Sequence, residues 1–157
     1  MEFREMRRGK QALSREECAA ILREERRGTL ALIGDGGWPY AVPLNYRYDE
    51  ETNRICFHCA KAGHKLDAIR ACDRVCFSVH DAGEPAGDWS YYVNSVTVFG
   101  RARIVEDAAL KLEQTRRFGA KYIPTREELE RELLAIDRME LVEITVEHMT
   151  GKRVHEK

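Results

Sequence analysis

The feature that most constrains this chain is the shortness of the connections between its strand-like runs. Thr29-Leu30-Ala31-Leu32-Ile33 is separated from a second run, about Tyr40 to Tyr48, by a turn built on Gly34-Asp35-Gly36-Gly37, residues that tolerate positive φ. The second run is followed by the polar hairpin loop Asp49-Glu50-Glu51-Thr52-Asn53 and a third strand, Arg54 to Cys59. A parallel crossover needs a dozen or more residues, so strands joined this closely pair antiparallel. Val75-Cys76-Phe77-Ser78-Val79, the long stretch Val93 to Val105, and Leu141 to Val146 complete six strands. Pro43 lacks an N–H, so its strand is an edge, is bulged, or points that position away from a neighbour. Gly100 marks a bulge in the longest strand.

Helices fit around this sheet. Ser14 and Glu17 form a capping box, with Leu13 and Cys18 as a hydrophobic staple, and the helix they open runs to Gly28. Gly63 opens a short helix from His64 to about Ala71. Asp107 caps a helix through about Phe118, and Thr125 with Glu128 forms a second capping box. Asp81 to Asp88 reads as a loop. The expected fold is mostly β with peripheral helices, an antiparallel sheet or small barrel, in one domain over residues 1–157 with a charged arm at residues 1–12.

Composition removes several function classes. With 26 Lys and Arg against 27 Asp and Glu, the net charge of −1 gives no long-range pull toward nucleic acid or an acidic membrane. No apolar stretch approaches the ~20 residues of a membrane helix. The charged start, Met1 to Arg8, does not read as a secretion signal, and the odd count of five cysteines reads as reduced thiols, so a cytoplasmic chain is expected. There is no dinucleotide fingerprint and no P-loop.

Cys56, His58, Cys59, His64, Cys72 and Cys76 have spacings superficially like a zinc site. Strand alternation sends Cys56 and Cys59 to opposite faces, and Phe57-His58 is poor turn material, so no metal is expected. Gly63-His64-Lys65 is more informative. A lysine in the first turn opposes the helix dipole, which makes sense where an anion such as phosphate offsets both charges; the plainer reading is a solvated lysine and a loop histidine. Trp89, Tyr91 and Tyr92 read as pocket, interface or core aromatics. No nucleophile–base–acid spacing is present, so any hard chemistry falls to a cofactor.

Several segments together carry a resemblance that spans nearly the whole chain. They are Met6-Arg7-Arg8, Pro39 through Tyr46, Phe57-His58-Cys59-Ala60 leading to Gly63-His64-Lys65-Leu66-Asp67, Ser95-Val96, Gly100-Arg101-Ala102 and Thr150-Gly151-Lys152. The sequence resembles the pyridoxamine 5′-phosphate oxidase-like flavoproteins, particularly the nitroimidazole resistance branch. That resemblance implies a six-stranded antiparallel split β-barrel forming a homodimer, with FMN at the subunit interface. It places flavin contacts on Val42, Pro43, Leu44 and Asn45, then on His58 and Cys59, phosphate contacts on His64 and Lys65, and a further contact on Ser95. His64 is the favoured functional residue of that branch. His64 also stands where true pyridoxamine phosphate oxidases have arginine, and no arginine-rich pattern follows Lys152-Arg153, which argues against vitamin B6 oxidation. The expected function is FMN-dependent reduction of a small electrophile such as a nitroimidazole or other nitroaromatic. The alternative is a flavin- or haem-binding module without turnover, for storage or sensing.

Overall fold

The computed structural model describes residues 3–157. Its elements are α1 (Arg15–Glu24), β1 (Arg27–Ile33), β2 (Pro39–Asn45), β3 (Arg47–Asp49), β4 (Arg54–Ala60), α2 (His64–Ala71), β5 (Arg74–His80), β6 (Glu84–Pro85), β7 (Tyr91–Ile104), α3 (Ala108–Ala120), α4 (Arg126–Leu133) and β8 (Met139–Glu156). The strands form one antiparallel sheet in the order β2-β1-β5-β7-β8-β4-β3, with β6 paired to β7.

The two edges of this sheet, β2 and β3, are consecutive in the chain and separated only by Tyr46. The sheet must therefore curl until its edges almost meet, which makes a barrel that is split at Tyr46. Tyr46 is fully buried there. The Tyr122 hydroxyl accepts the Tyr46 N–H at 3.0 Å and lies within hydrogen-bond distance of the Tyr46 and Arg26 carbonyls, to one of which it donates.

Six of the eight strands match the six expected. The count differs for two reasons. The expected second strand is broken at Tyr46, where the chain passes from one sheet edge to the other. The loop after Asp81 also holds the two-residue β6. The first helix stops at Glu24, four residues short of Gly28, because β1 already begins at Arg27. The last strand is far longer than Leu141 to Val146, since β7 offers it partners as far as Tyr91 opposite Glu156. Pro43 lies in an edge strand and Gly100 at a register shift, as the sequence suggested. At Gly100 a Cβ would strike the Thr145 carbonyl, so only glycine lets β8 approach there.

Leu30, Ile55, Phe57, Phe77, Val79, Val96, Val98 and Ile144 fill the barrel and are fully buried. Cys18, Ala19 and Leu22 of α1, and Leu66, Ala68 and Ile69 of α2, join the same core. Helix α3 covers the outer face of β4 through a smaller cluster of Cys56, Val105, Phe118 and Leu141. Cys56 and Cys59 thus enter different clusters, as strand alternation requires. Among the described residues no group of three His, Cys, Asp or Glu side chains could hold a metal ion. No helix among them is long and apolar enough to cross a membrane.

Candidate functional site

The expected contact residues lie on β2, β4 and the start of α2. Along β2, Val42 and Leu44 pack on the barrel core while Pro43 and Asn45 are exposed on the outer face. On β4, His58 is outward and Cys59 packs on the core. Period-2 alternation therefore splits the expected strand residues. Pro43, Asn45 and His58 offer side chains to a ligand on the outside; Val42, Leu44 and Cys59 offer backbone.

Gly63 turns the chain from β4 into α2 with φ 130°, a value that L side chains rarely adopt. No side chain caps this helix. Leu66 and Asp67 both return their N–H to the Gly63 carbonyl, so the amides of His64 and Lys65 are left at the free N-terminal end.

The Lys65 ammonium is 5.9 Å from the centroid of the Phe57 ring, on the strand that carries His58 and Cys59. Burial first, and Lys65 second, push the His58 imidazole below its ordinary value, so the ring is neutral near pH 7. Burial raises the Cys59 thiol, with Lys65 opposing it. His58 packs edge-on against Phe118, with ring centroids 4.9 Å apart.

His64 turns toward the β1–β2 connection. Its ring stacks on Tyr40 at 4.2 Å, and Nε2 accepts the Asp35 N–H at 3.3 Å. Accepting that bond uses the Nε2 lone pair, so in the neutral ring the proton sits on Nδ1, the donor left free.

A cavity of about 600 Å³ opens beside this end of the barrel, between the sheet and the α3–α4 hairpin. Asn45 and His58 line it from the sheet, and Phe118, Tyr122, Leu129 and Met139 from the other side. Thr115 is also in its wall, buried, and its hydroxyl has no hydrogen-bond partner. An orphaned hydroxyl costs roughly 1–3 kcal/mol unless a ligand or water meets it. Thr115, Phe118 and Tyr122 escaped the sequence reading because they lie 57 to 77 positions from the strands they face. The only local signal was the aromatic-proline run Tyr122-Ile123-Pro124 between two helices.

Ser95 stands apart. It is on β7, paired with His80 and Lys152, and lines a different groove with Arg4 and Met6. One copy of the chain puts Asn45 and His58 on one cavity wall and Lys65 within electrostatic reach of His58, with His64 turned to Tyr40 and Asp35 and Ser95 elsewhere. Trp89 and Tyr91 are exposed, while Tyr92 stacks on His155 at 4.4 Å.

A curled antiparallel sheet broken between chain-adjacent edge strands defines the split-barrel class. The chain belongs to the pyridoxamine 5′-phosphate oxidase family, whose profile matches residues 14–153. Solved structures agree on the fold. A candidate 5-nitroimidazole antibiotic resistance protein of Bacteroides thetaiotaomicron superposes with a TM-score of 0.81 at 18% identity, covering 92% of this chain and 87% of that one. A FAD-binding protein of Mesorhizobium loti gives 0.69 at 24% identity, covering 92% and 97%. A FAD-binding protein of Mycobacterium smegmatis gives 0.66 at 24%, covering 93% and 99%. No curated protein matches the chain.

Proposed function

We propose that this protein is a flavoprotein oxidoreductase that holds FMN between two copies of itself and reduces a small electrophile, such as a nitroimidazole. The observation that carries the reading is the uncapped start of α2, where two free amides and Lys65 stand together, with Lys65 close enough to His58 on the cavity wall to push its imidazole down. A phosphate placed there meets a cation, two unpaired amides and the positive end of a helix dipole. The residues fit a flat ring as well. Pro43 and Asn45 present a short-chained outer face on β2, and the orphaned Thr115 hydroxyl waits for a partner in the cavity wall.

When bound, the flavin would take electrons from a reduced nicotinamide or another donor and hand them to a substrate stacked on it. The chain's own residues orient, exclude and donate. Lys65 holds the phosphate; His58, neutral and wedged against Phe118, hydrogen-bonds without adding charge; His64 keeps Nδ1–H free to donate a hydrogen bond to a product or to an acidic group.

The separation of Ser95 from the other contacts supports a site completed by a second copy. The outer face of β2, β1 and β5 supports it too. Ala41, Pro43, Thr29, Ala31, Cys76 and Ser78 make the middle of that face a low surface, with the long side chains Arg27 and Arg74 at its ends. The names of the Mesorhizobium and Mycobacterium structures favour a flavin of some kind, and that of the Bacteroides structure a nitroimidazole.

The test is the absorbance spectrum of freshly purified protein, followed by anaerobic reduction. Flavin bands, and reoxidation by a nitroimidazole faster than by buffer, support the reading. A colourless protein that takes up no FMN overturns it, and bound flavin without accelerated reoxidation leaves the non-catalytic module.

A further inference from the structure

Two lysines of this chain donate to backbone carbonyls, and their surroundings differ. Lys111 donates to the Met139 carbonyl and reaches the Glu140 carboxylate at 3.3 Å. Lys121, the residue that ends α3, donates to the Glu25 carbonyl between α1 and β1. Its Nζ lies 4.5 Å from the centroid of the Tyr46 ring and 5.7 Å from that of Tyr122. The Arg26 guanidinium lies over the same Tyr122 ring at 4.9 Å. Among the described residues neither Lys121 nor Arg26 forms an ion pair.

This setting works against an ammonium. Burial first, then Arg26, bring the amine down from 10.5 to about 8. Glu25 opposes them, and Arg47, itself bound to Asp49 at 3.2 Å, adds to them. Cys56, also near, stays neutral, because burial pushes its thiol up to about 11. Near pH 8 about half of the molecules therefore hold Lys121 as a free amine, against roughly one in 300 for an ordinary lysine. A desolvated lysine beside another cation is an activated nucleophile.

The charge around the amine selects its electrophile. Acylation would give a neutral amide and leave Arg26 without a counter-charge. Carbon dioxide gives a carbamate instead, an anion of carboxylate shape that a guanidinium fork matches. Lys121 is partly exposed, which suits a small uncharged gas.

We propose that Lys121 is a carbon dioxide site, carboxylated reversibly on Nζ and held as a carbamate by Arg26. The amine lone pair attacks the carbon, an N–C bond forms, one C=O electron pair moves onto oxygen, and the nitrogen gives a proton to water. Nothing is oxidised or reduced. The remaining N–H keeps the Glu25 carbonyl as its acceptor. The cation beside Tyr46 is thereby exchanged for an anion where β2 and β3 meet. None of these residues is among the expected flavin contacts, so the site stands whether or not flavin is bound.

The experiment places the purified protein in ¹³C-labelled bicarbonate at about pH 8 and follows the carbamate by ¹³C magnetic resonance. Ethylation with a triethyloxonium salt then fixes the carbamate, and peptide mass spectrometry locates it. Mapping also separates it from the carbamate of an α-amino group, which titrates in the same range, about 7.7–8.0. The expected result is an adduct on the Lys121 peptide and on no other lysine peptide. Lys121→Arg, which keeps the positive charge, removes the lysine resonance. Arg26→Gln lowers occupancy about two- to fivefold, the weight of a surface ion pair. Absence of an adduct on the Lys121 peptide overturns the proposal, as does an adduct spread evenly over the lysines. Unchanged occupancy in Arg26→Gln overturns it too, by leaving the anion without its partner. Circular dichroism checks that both variants fold, and Arg26→Gln decides the matter if Lys121→Arg does not.

Discussion

Helices α1 and α2 plug the same barrel core, and their N-termini are finished in different ways. In α1 the Ser14 hydroxyl accepts the Glu17 N–H at 3.2 Å, and the Glu17 carboxylate accepts the Ser14 N–H at 2.7 Å. Two orphan amides are satisfied and two acids, Glu16 and Glu17, sit in the first turn. In α2 the cap is a glycine, nothing answers the first amides, and the first turn opens with His64 and Lys65. Helices α3 and α4 side with α1: Asp107 accepts the Leu110 N–H at 2.7 Å, and Thr125 accepts the Glu128 N–H at 3.2 Å. Among these four helices three are capped by side chains of the chain itself and the fourth is left open. That difference singles out the start of α2 as the one helix end whose amides the chain's own side chains do not answer.

The strongest way to break the comparison is Lys65→Ala. If the open end holds a phosphate, FMN affinity falls roughly 10- to 100-fold, the weight of a charge-assisted contact of about 1.5–3 kcal/mol. Flavin retained through gel filtration at wild-type levels would make α2 an ordinary surface helix. Next is Gly63→Ser. A serine cap stabilises most helices, yet at φ 130° the strain of a non-glycine residue, about 1–3 kcal/mol, outweighs it. A urea midpoint lowered by this change, with the far-ultraviolet spectrum preserved, is the expected result. Ser14→Ala sharpens the other side. Losing the cap of α1 costs about 1 kcal/mol and lowers the thermal midpoint by about 2–4 °C, with flavin binding untouched.

The smallest effect is one of pH. Lys121 donates to the Glu25 carbonyl and lies over the Tyr46 ring at 4.5 Å. Burial first, then Arg26, bring its ammonium down from 10.5 to about 8. Between these values the unfolded chain holds a proton that the folded chain has released, so this group's contribution to stability rises with pH over that window and is at its lowest below it. Lys121→Met removes that rise, which urea midpoints taken across the window in both chains will show as a difference between two slopes.

Much of this architecture was legible in the sequence because its determinants are local. Capping residues, glycine turns and period-2 alternation identified five of the six long strands closely, and the start of each of the four helices. The Thr125 box is half of one: its hydroxyl donates to the Glu128 carboxylate, so the reciprocal backbone bond is missing. Long-range partners were not legible. The break at Tyr46 depends on Tyr122, 76 positions away, and the extension of β8 to Glu156 depends on β7. The bond between Ser90 and His155 at 2.7 Å likewise joins residues 65 positions apart. For the candidate site, the helix-start argument put Lys65 in the first turn of a short helix, and the structure shows that turn without a side-chain cap. Thr115 and Phe118 became visible only when α3 was laid on β4.

The junction at Tyr46 has a consequence of its own. Elsewhere the sheet is sewn by ladders of backbone bonds, so no single side chain governs whether it stays closed. Along the line between β2 and β3, one phenol oxygen serves backbone groups on both sides. Local opening of the barrel should therefore begin at this junction, beside the cavity that Tyr122 lines. Tyr122→Phe should speed amide exchange at Tyr46 while Phe77 and Val98 keep their rates, leaving a molecule that is equally folded and more easily entered.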